Sequence, residues 1–199
     1  MQTLPFSQAC ENNKGAILAR LLEVFGERDR VLEIASGTGQ HATWFAGHMP
    51  YLQWQPTELG QNLPVLEPRC RNYTGENLLS PCTLDVSQRP WPIADIPGAI
   101  FTANSLHIMP WASVQDLFGE LGERAIADTL LAVYGPFNYA GRYTSDSNAR
   151  FDEWLAQQSP FSAIRDYEAV DALAATAGFA LRSDFEMPAN NRLLVWHKA

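Results

Sequence analysis

The stretch VLEIASGTGQHA, Val31 to Ala42, restricts what this chain can fold into more than any other segment. Val31–Ala35 reads as a buried strand, the chain then turns through Gly37 and Gly39, and a helix is expected from about Gln40 to His48, stopped by Pro50. Glycine suits such a turn because it adopts unusual backbone angles and lets a ligand approach the main chain with no Cβ in the way. The helix start offers free N–H groups to an electron-rich part of that ligand. By spacing, Gly37, Gly39 and Ala42 satisfy G-x-G-x-x-G/A, a pattern that by itself also fits a nicotinamide dinucleotide site or a tight turn that binds nothing.

The rest of the chain alternates short apolar runs with helical stretches, the pattern of an α/β sheet. A first helix carries Ile17, Leu18, Leu21, Leu22 and Phe25 at helical spacing, with Asn12 or Asn13 as its cap. Further strands are expected at Leu52–Thr57, Cys82–Val86, Ala99–Ala103 and Thr129–Tyr134, the last apolar throughout, as at a sheet centre. Between Gly60 and Asn72, Pro64 and Pro68 predict a short or broken helix. Ser113 with Asp116 resembles a capping box opening a helix to about Ala127. Gly135–Arg150 is too long for a plain connection and has the character of a functional lid. Helices near Asn148–Gln157 and Asp166–Ala177 precede a hairpin, Ala180–Glu186 and Leu193–His197, around MPANN. The fold class is α/β, a doubly wound sheet of about seven strands, mostly parallel with an antiparallel end. We expect a single domain over residues 1–199: an N-terminal helical segment (about 1–28), a core (29–134), a lid or substrate segment (about 135–165) and a C-terminal helix and hairpin (166–199).

Two acids sit where such a sheet binds ligands. Glu58 lies 19 positions beyond Gly39 at the end of the second strand, where an acid accepts hydrogen bonds from ribose hydroxyls. Asp85 ends the third strand, within reach of an adenine amino group. Their shared placement at strand tips is the argument.

Charge narrows the partners. Of 199 residues, 14 are Lys or Arg and 22 are Asp or Glu, a net charge of −8. Nucleic-acid affinity rests on neutralising phosphates with Lys and Arg, so nucleic acid is not an expected partner. The three cysteines, Cys10, Cys70 and Cys82, show no C-x-x-C spacing and read as free thiols of a reducing compartment. The start MQTLPFSQACENNKG has neither the apolar core nor the basic cluster of a secretory signal, and no apolar run approaches a membrane span. The expectation is a cytoplasmic protein without membrane contact, its oligomeric state open and a dimer compatible with it.

The pattern Glu33-x-Ala35-x-Gly37-x-Gly39, then Glu58, then Asp85, resembles the first three motifs of the class I S-adenosylmethionine-dependent methyltransferases, which have a Rossmann-like fold. More narrowly, SQACENNKGAIL, EIASGTGQH, NSLHIMPW, YGPFNYAGRYTSDSNARFD and MPANNRLLVW resemble the methyltransferase-like protein 26 family from Ser7 to Trp196. Ala35 departs from the broader pattern, where many members carry glycine. The resemblance implies an S-adenosylmethionine cofactor whose methionine part passes over Gly37 and Gly39, with Ala35 small enough not to block it. Glu33 would lie close to its amino group, Glu58 would hold both ribose hydroxyls, Asp85 with the backbone of Val86 would bracket the adenine, and Asn104 would lie beside the sulfonium and methyl. A sulfonium cation suits carboxylates, and the turn lacks the Lys of a phosphate-binding loop.

Methyl transfer from a sulfonium is an in-line displacement, so the protein mainly aligns the acceptor. His107, three residues past Asn104, is the candidate base, its ordinary pKa of ~6.5 suiting proton removal near neutrality. Asn104 is the second candidate catalytic residue. Tyr134, Tyr139, Arg142 and Tyr143 from the lid and Asn190 from the last hairpin are the candidate substrate contacts. Asn12, Asn13 and Lys14 are placed to cover the cofactor. ANSLHIMPW lacks the Asn-Pro-Pro-aromatic run of amino-methylating enzymes, and no cysteine lies near it, which leaves a small molecule or a peptide as the expected acceptor, the small molecule being preferred. A non-catalytic cofactor binder and an NAD-dependent oxidoreductase stand as alternatives.

Overall fold

The structure is a computed structural model describing residues 4–199; residues 1–3 of the N-terminal segment lie outside the described residues. The elements are α1 (Gln8–Val24), β1 (Arg30–Ile34), α2 (Gln40–His48), β2 (Gln53–Glu58), α3 (Leu63–Arg71), β3 (Cys82–Thr83), β4 (Ala99–Ala103), α4 (Trp111–Arg124), β5 (Leu130–Gly135), β6 (Phe137–Asn138), α5 (Asp146–Gln158), β7 (Arg165–Asp166), α6 (Tyr167–Thr176), β8 (Phe179–Met187) and β9 (Asn191–Lys198). Seven strands form one sheet in the order β3-β2-β1-β4-β5-β9-β8. The pairings from β3 through β5 are parallel, while β9 runs antiparallel between β5 and β8.

Strand alternation sorts side chains onto two faces. On β5, Leu131 and Val133 join Phe118, Leu121, Val170 and Ala174 of α4 and α6. Leu130, Ala132 and Tyr134 join Ile17, Leu21 and Phe45 of α1 and α2 on the other face. Every β5 residue is buried, which is why that run is apolar throughout.

Several local details differ from the sequence reading, each for a physical reason. The cap of α1 is Ser7, whose side chain accepts the Cys10 N–H, and Asn13 sits buried inside the helix instead. α4 starts at Trp111 after Pro110, so Ser113 and Asp116 lie within it and form no capping box. α3 is short, nine residues, as its prolines predict: Pro64 falls in the first turn, where its missing N–H has no intrahelical partner, while Pro68 lies inside the helix. β3 is only two residues long, and Asp85 lies just past it. The lid stretch is ordered: β6 pairs in parallel with β7, and Ser145 caps α5 by accepting the Asn148 N–H.

Candidate functional site

The turn after β1 is left-handed at three positions, with φ of +58° at Ala35, +56° at Gly37 and +74° at Gly39. The two glycines serve different ends. A Cβ built on Gly37 meets nothing within 4 Å, so the bare backbone there faces open space. A Cβ on Gly39 would stand 2.9 Å from Leu66 Cδ1 of α3, so Gly39 lets that helix pack against the start of α2. Ala35 holds its left-handed angle with a Cβ in place, a conformation that costs an L-residue roughly 1–2 kcal/mol.

The tip of β2 locks onto this turn. Glu58 Oε2 accepts the Gly37 N–H at 2.8 Å, and Oε1 accepts the Leu59 N–H at 2.9 Å and the Asn62 side-chain amide at 3.2 Å. A carboxylate offers about four lone-pair sites, so one acceptor site is spare and the long Asn62 bond is the easiest to exchange. Asp85 is similarly organised, accepting the Ser87 N–H (3.0 Å), the Ser87 hydroxyl (2.6 Å) and the Gln88 amide (2.9 Å). The Ser87 bonds hold its pKa below the usual carboxylate value. With Leu59, Gly60, Thr83 and Gln88 it lines a groove of about 360 Å³. Val86 is buried, and its carbonyl accepts the Trp91 indole N–H at 3.2 Å.

Glu33 is 2% exposed. Its Oε2 accepts the Trp54 indole N–H at 2.8 Å. Burial pushes its pKa up to about 7, opposed by bonds from Trp54 and Ser36.

Asn104 and His107 meet at the end of β5. Asn104 has φ of +55°, which asparagine tolerates, and donates its N–H to the Tyr134 carbonyl at 2.8 Å. A Cβ on Gly135 would lie 3.6 Å from His107 Nδ1 and 4.0 Å from Asn104 Oδ1, so both side chains border the space above that glycine. His107 is buried, edge-on to Phe151 with ring centroids 5.4 Å apart. Burial and the nearby Arg165 lower its pKa to about 4, so the imidazole is neutral at pH 7. Arg165 straps this loop by donating to the carbonyls of Leu106 (3.0 Å) and Met109 (2.7 Å).

The N-terminal segment closes over the turn. Gln40 at the start of α2 bonds the backbone N–H and C=O of Ser7, while Arg69 donates to the carbonyls of Thr38 and Pro5. Asn13 Oδ1 meets His41 Nε2 at 2.7 Å, and the Tyr134 hydroxyl bonds Asn13 and Asn191. Tyr134 is therefore buried beneath α1 rather than in the lid. Tyr139, Arg142, Tyr143 and Asn190 do converge, on a pocket of about 520 Å³ shared with Asn191 and Arg192. Tyr139 donates to Asp184 at 2.8 Å and Tyr143 to Asp152 at 2.7 Å.

A family model described as a protein of unknown function, DUF938, matches residues 4–198. The chain belongs to the DUF938 family. Solved structures share its fold at low identity. An S-adenosylmethionine-dependent methyltransferase, SibL, is 17% identical with a TM-score of 0.79, covering 96% of this chain and 55% of that one. An O-methyltransferase family protein from Burkholderia thailandensis is 13% identical with a TM-score of 0.79, over 94% and 56% of the chains. Human N-acetylserotonin methyltransferase, solved in complex with S-adenosylmethionine, is 12% identical with a TM-score of 0.72, over 98% and 60%. This chain thus spans little more than half the length of these proteins.

In this DUF938 chain the sequence signals neither Trp54, Gln40 nor Arg69 as site residues, nor any role for Gly135 beyond a hinge of the lid. None carries a local signal: each matters through a partner 21 to 64 residues away or through the space it leaves. His41 and His48 share no site, since His41 is buried against Phe45 while His48 bonds the Trp44 carbonyl. Among the described residues no cluster of three His, Cys, Asp or Glu is placed to hold a metal, and no helix is long and apolar enough to cross a membrane.

Proposed function

We propose that this protein is an S-adenosylmethionine-dependent methyltransferase acting on a small-molecule acceptor, as the likeness to the methyltransferase-like protein 26 family implies. The observation that carries this reading is the open backbone at Gly37, tied to Glu58 and two residues from the uncharged left-handed corner at Ala35. A ligand can lie against main chain there while a neighbouring carboxylate keeps a spare acceptor site for its hydroxyls. The cofactor, when bound, supplies a methyl group on a sulfonium that any oriented nucleophile can displace.

In this reading Glu58 holds the ribose hydroxyls, and its Asn62 bond is the one exchanged. Asp85 and the Val86 backbone bracket the adenine beside the 360 Å³ groove. Glu33 holds the amino group, and Ala35, Gly37 and Gly39 shape the floor. Asn104 and His107 face the reacting centre from the loop after β4, with a neutral imidazole able to accept the acceptor's proton. Tyr139, Arg142, Tyr143 and Asn190 contact the acceptor, and buried Tyr134 fixes α1 over the cofactor. Free Cys10, Cys70 and Cys82 suit a cytoplasmic setting.

An NAD-dependent oxidoreductase is the less favoured assignment because a six-stranded parallel dinucleotide sheet has no antiparallel strand inserted beside its fifth, where β9 stands here. Calorimetry with S-adenosylmethionine, S-adenosylhomocysteine and NAD tests this directly. The first two are expected to bind and NAD is not; the reverse overturns the proposal. An acceptor screen with a labelled methyl group then separates a catalyst from a mere binder.

A further inference from the structure

Glu33 is a carboxylate in the wrong place for its own stability. It is buried against the Trp54 indole with Phe101 opposite it on β4, and no basic side chain pairs with it among the described residues. The titratable groups facing it are Glu58 from β2, Cys10 from α1 and Cys70 from α3, none of them a cation. The cations nearby are committed elsewhere: Arg69 to the Thr38 and Pro5 carbonyls, Lys14 to Glu11 and the Trp44 ring. His41 of α2 is bonded to Asn13 and stacked on Phe45. A buried charge without a partner is costly, which is why burial raises the Glu33 pKa; a cation brought in from outside would favour the ionised form and pair with it.

What holds that carboxylate is the Trp54 indole, which can only donate, at 2.8 Å. The Ser36 hydroxyl assists: its oxygen accepts the Thr57 N–H, leaving its own proton for Glu33. Trp54 itself is clamped by Phe45 and Phe101, with ring centroids at 5.5 Å and 6.0 Å, so the N–H has one direction to point. We infer that Trp54 is a positioning residue: its indole N–H bonds the Glu33 carboxyl, favours its ionised form and fixes it in one rotamer, so that the α-ammonium group of the bound adenosyl cofactor finds its partner there. This rests on the cofactor reading above and adds to it the residue that makes Glu33 competent.

Two measurements test it. In ligand-free protein, the indole ¹⁵N–¹H signal of Trp54, assigned among six tryptophans by its loss in Trp54→Phe, is expected to shift with pH and to stop shifting in Glu33→Gln. Calorimetry then compares S-adenosylhomocysteine with 5′-methylthioadenosine, which lacks the ammonium, between about pH 6 and 8.5. Removing the donor raises the Glu33 pKa further, so Trp54→Phe is expected to weaken S-adenosylhomocysteine about tenfold at pH 7, the cost of one charge-assisted hydrogen bond. The gap should narrow toward pH 8.5, and 5′-methylthioadenosine should bind the variant as it binds the parent. An indole that does not titrate in a protein that binds S-adenosylhomocysteine overturns this inference alone, as does equal loss of both ligands at every pH. Failure of the parent protein to bind S-adenosylhomocysteine at any pH overturns the cofactor reading and this inference with it.

Discussion

The Glu58 carboxylate accepts the backbone N–H of Gly37, 21 residues earlier, at 2.8 Å. One bond thereby ties the tip of β2 to the glycine turn after β1, so the ligand-facing backbone and the acid beside it are a single unit. Replacing Glu58 by alanine should damage both at once. It leaves the Gly37 and Leu59 N–H groups without their acceptor, and we expect a stability loss of about 1–3 kcal/mol by urea denaturation. S-adenosylhomocysteine affinity should fall by a similar amount. Asn62→Ala, which frees one acceptor site on Glu58, should leave that affinity unchanged or raise it; a loss as large as that of Glu58→Ala would show the two residues to act as one.

Ala35 sits at φ +58° with a Cβ in place. Glycine relieves about 1–2 kcal/mol of left-handed strain but returns roughly 0.4–1 kcal/mol of unfolded-chain entropy. Ala35→Gly should therefore stabilise the protein by up to about 1.6 kcal/mol, and Ala35→Val, β-branched in the same region, should destabilise it. Chemical denaturation of the pair measures both, and a destabilised glycine variant would mean the corner is not strained.

Gly135 lies beside both His107 Nδ1 and Asn104 Oδ1, and a Cβ there makes only ordinary contacts at 3.6 and 4.0 Å. Gly135→Ala should fold normally and bind S-adenosylhomocysteine as before, because the methyl fills space above β5 rather than the turn. Methyl transfer to an acceptor should slow by about tenfold or more, since small misplacements in an aligned reaction cost that much. Unchanged turnover would remove this space from the reaction path.

Stability against pH should reflect three buried groups pulling in opposite directions. His41 and His107 fall from the ordinary histidine value of 6.5 to about 4, both mainly through burial. Between pH 4 and 6.5 the unfolded chain therefore holds more protons at these sites than the folded one, and stability drops as pH falls. Glu33, raised from 4.5 to about 7 by burial, works the other way: the folded state holds its proton longer, so its contribution is lost as pH rises from 4.5 to 7. Two histidines outweigh one acid, leaving a net loss of about 1.4 kcal/mol per pH unit on acidification through the shared window. Glu33→Gln removes the opposing group and should steepen the acid limb, while His107→Gln should flatten it. Urea midpoints at pH 4.5, 5.5 and 6.5 read the slopes, and a Glu33→Gln slope no steeper than the parent's would mean Glu33 is not held protonated.

The residues differ in how openly they announced their place. Gln40–His48 was readable as a helix to the residue because glycine before it and proline after it are local stop signals. The buried run of β5 and the hairpin of β8 and β9 were equally plain from apolar periodicity. Ser7 was missed as a cap because Asn12 and Asn13 offered the same chemistry nearer the apolar repeat. Tyr134 read as a lid residue because it adjoins the glycine of the lid, yet strand alternation turns it inward beneath α1. The four other acceptor candidates share one pocket only because β8 and β9 return beside the lid.

By itself the order of amino acids determined the strand–turn–helix at Val31–His48, the α/β alternation and the acids at the end of β2 and just past β3. Those follow from period, glycine and charge, which act over a few residues. Only the tertiary structure decided that Gly37 opens to a ligand while Gly39 makes room for Leu66, and that Glu58 closes onto Gly37. It also placed Trp54 against Glu33, and His107 with Asn104 over Gly135. Contacts between distant segments depend on which faces the sheet order brings together, and neither that order nor the dielectric around a buried carboxylate is written in any short stretch of chain.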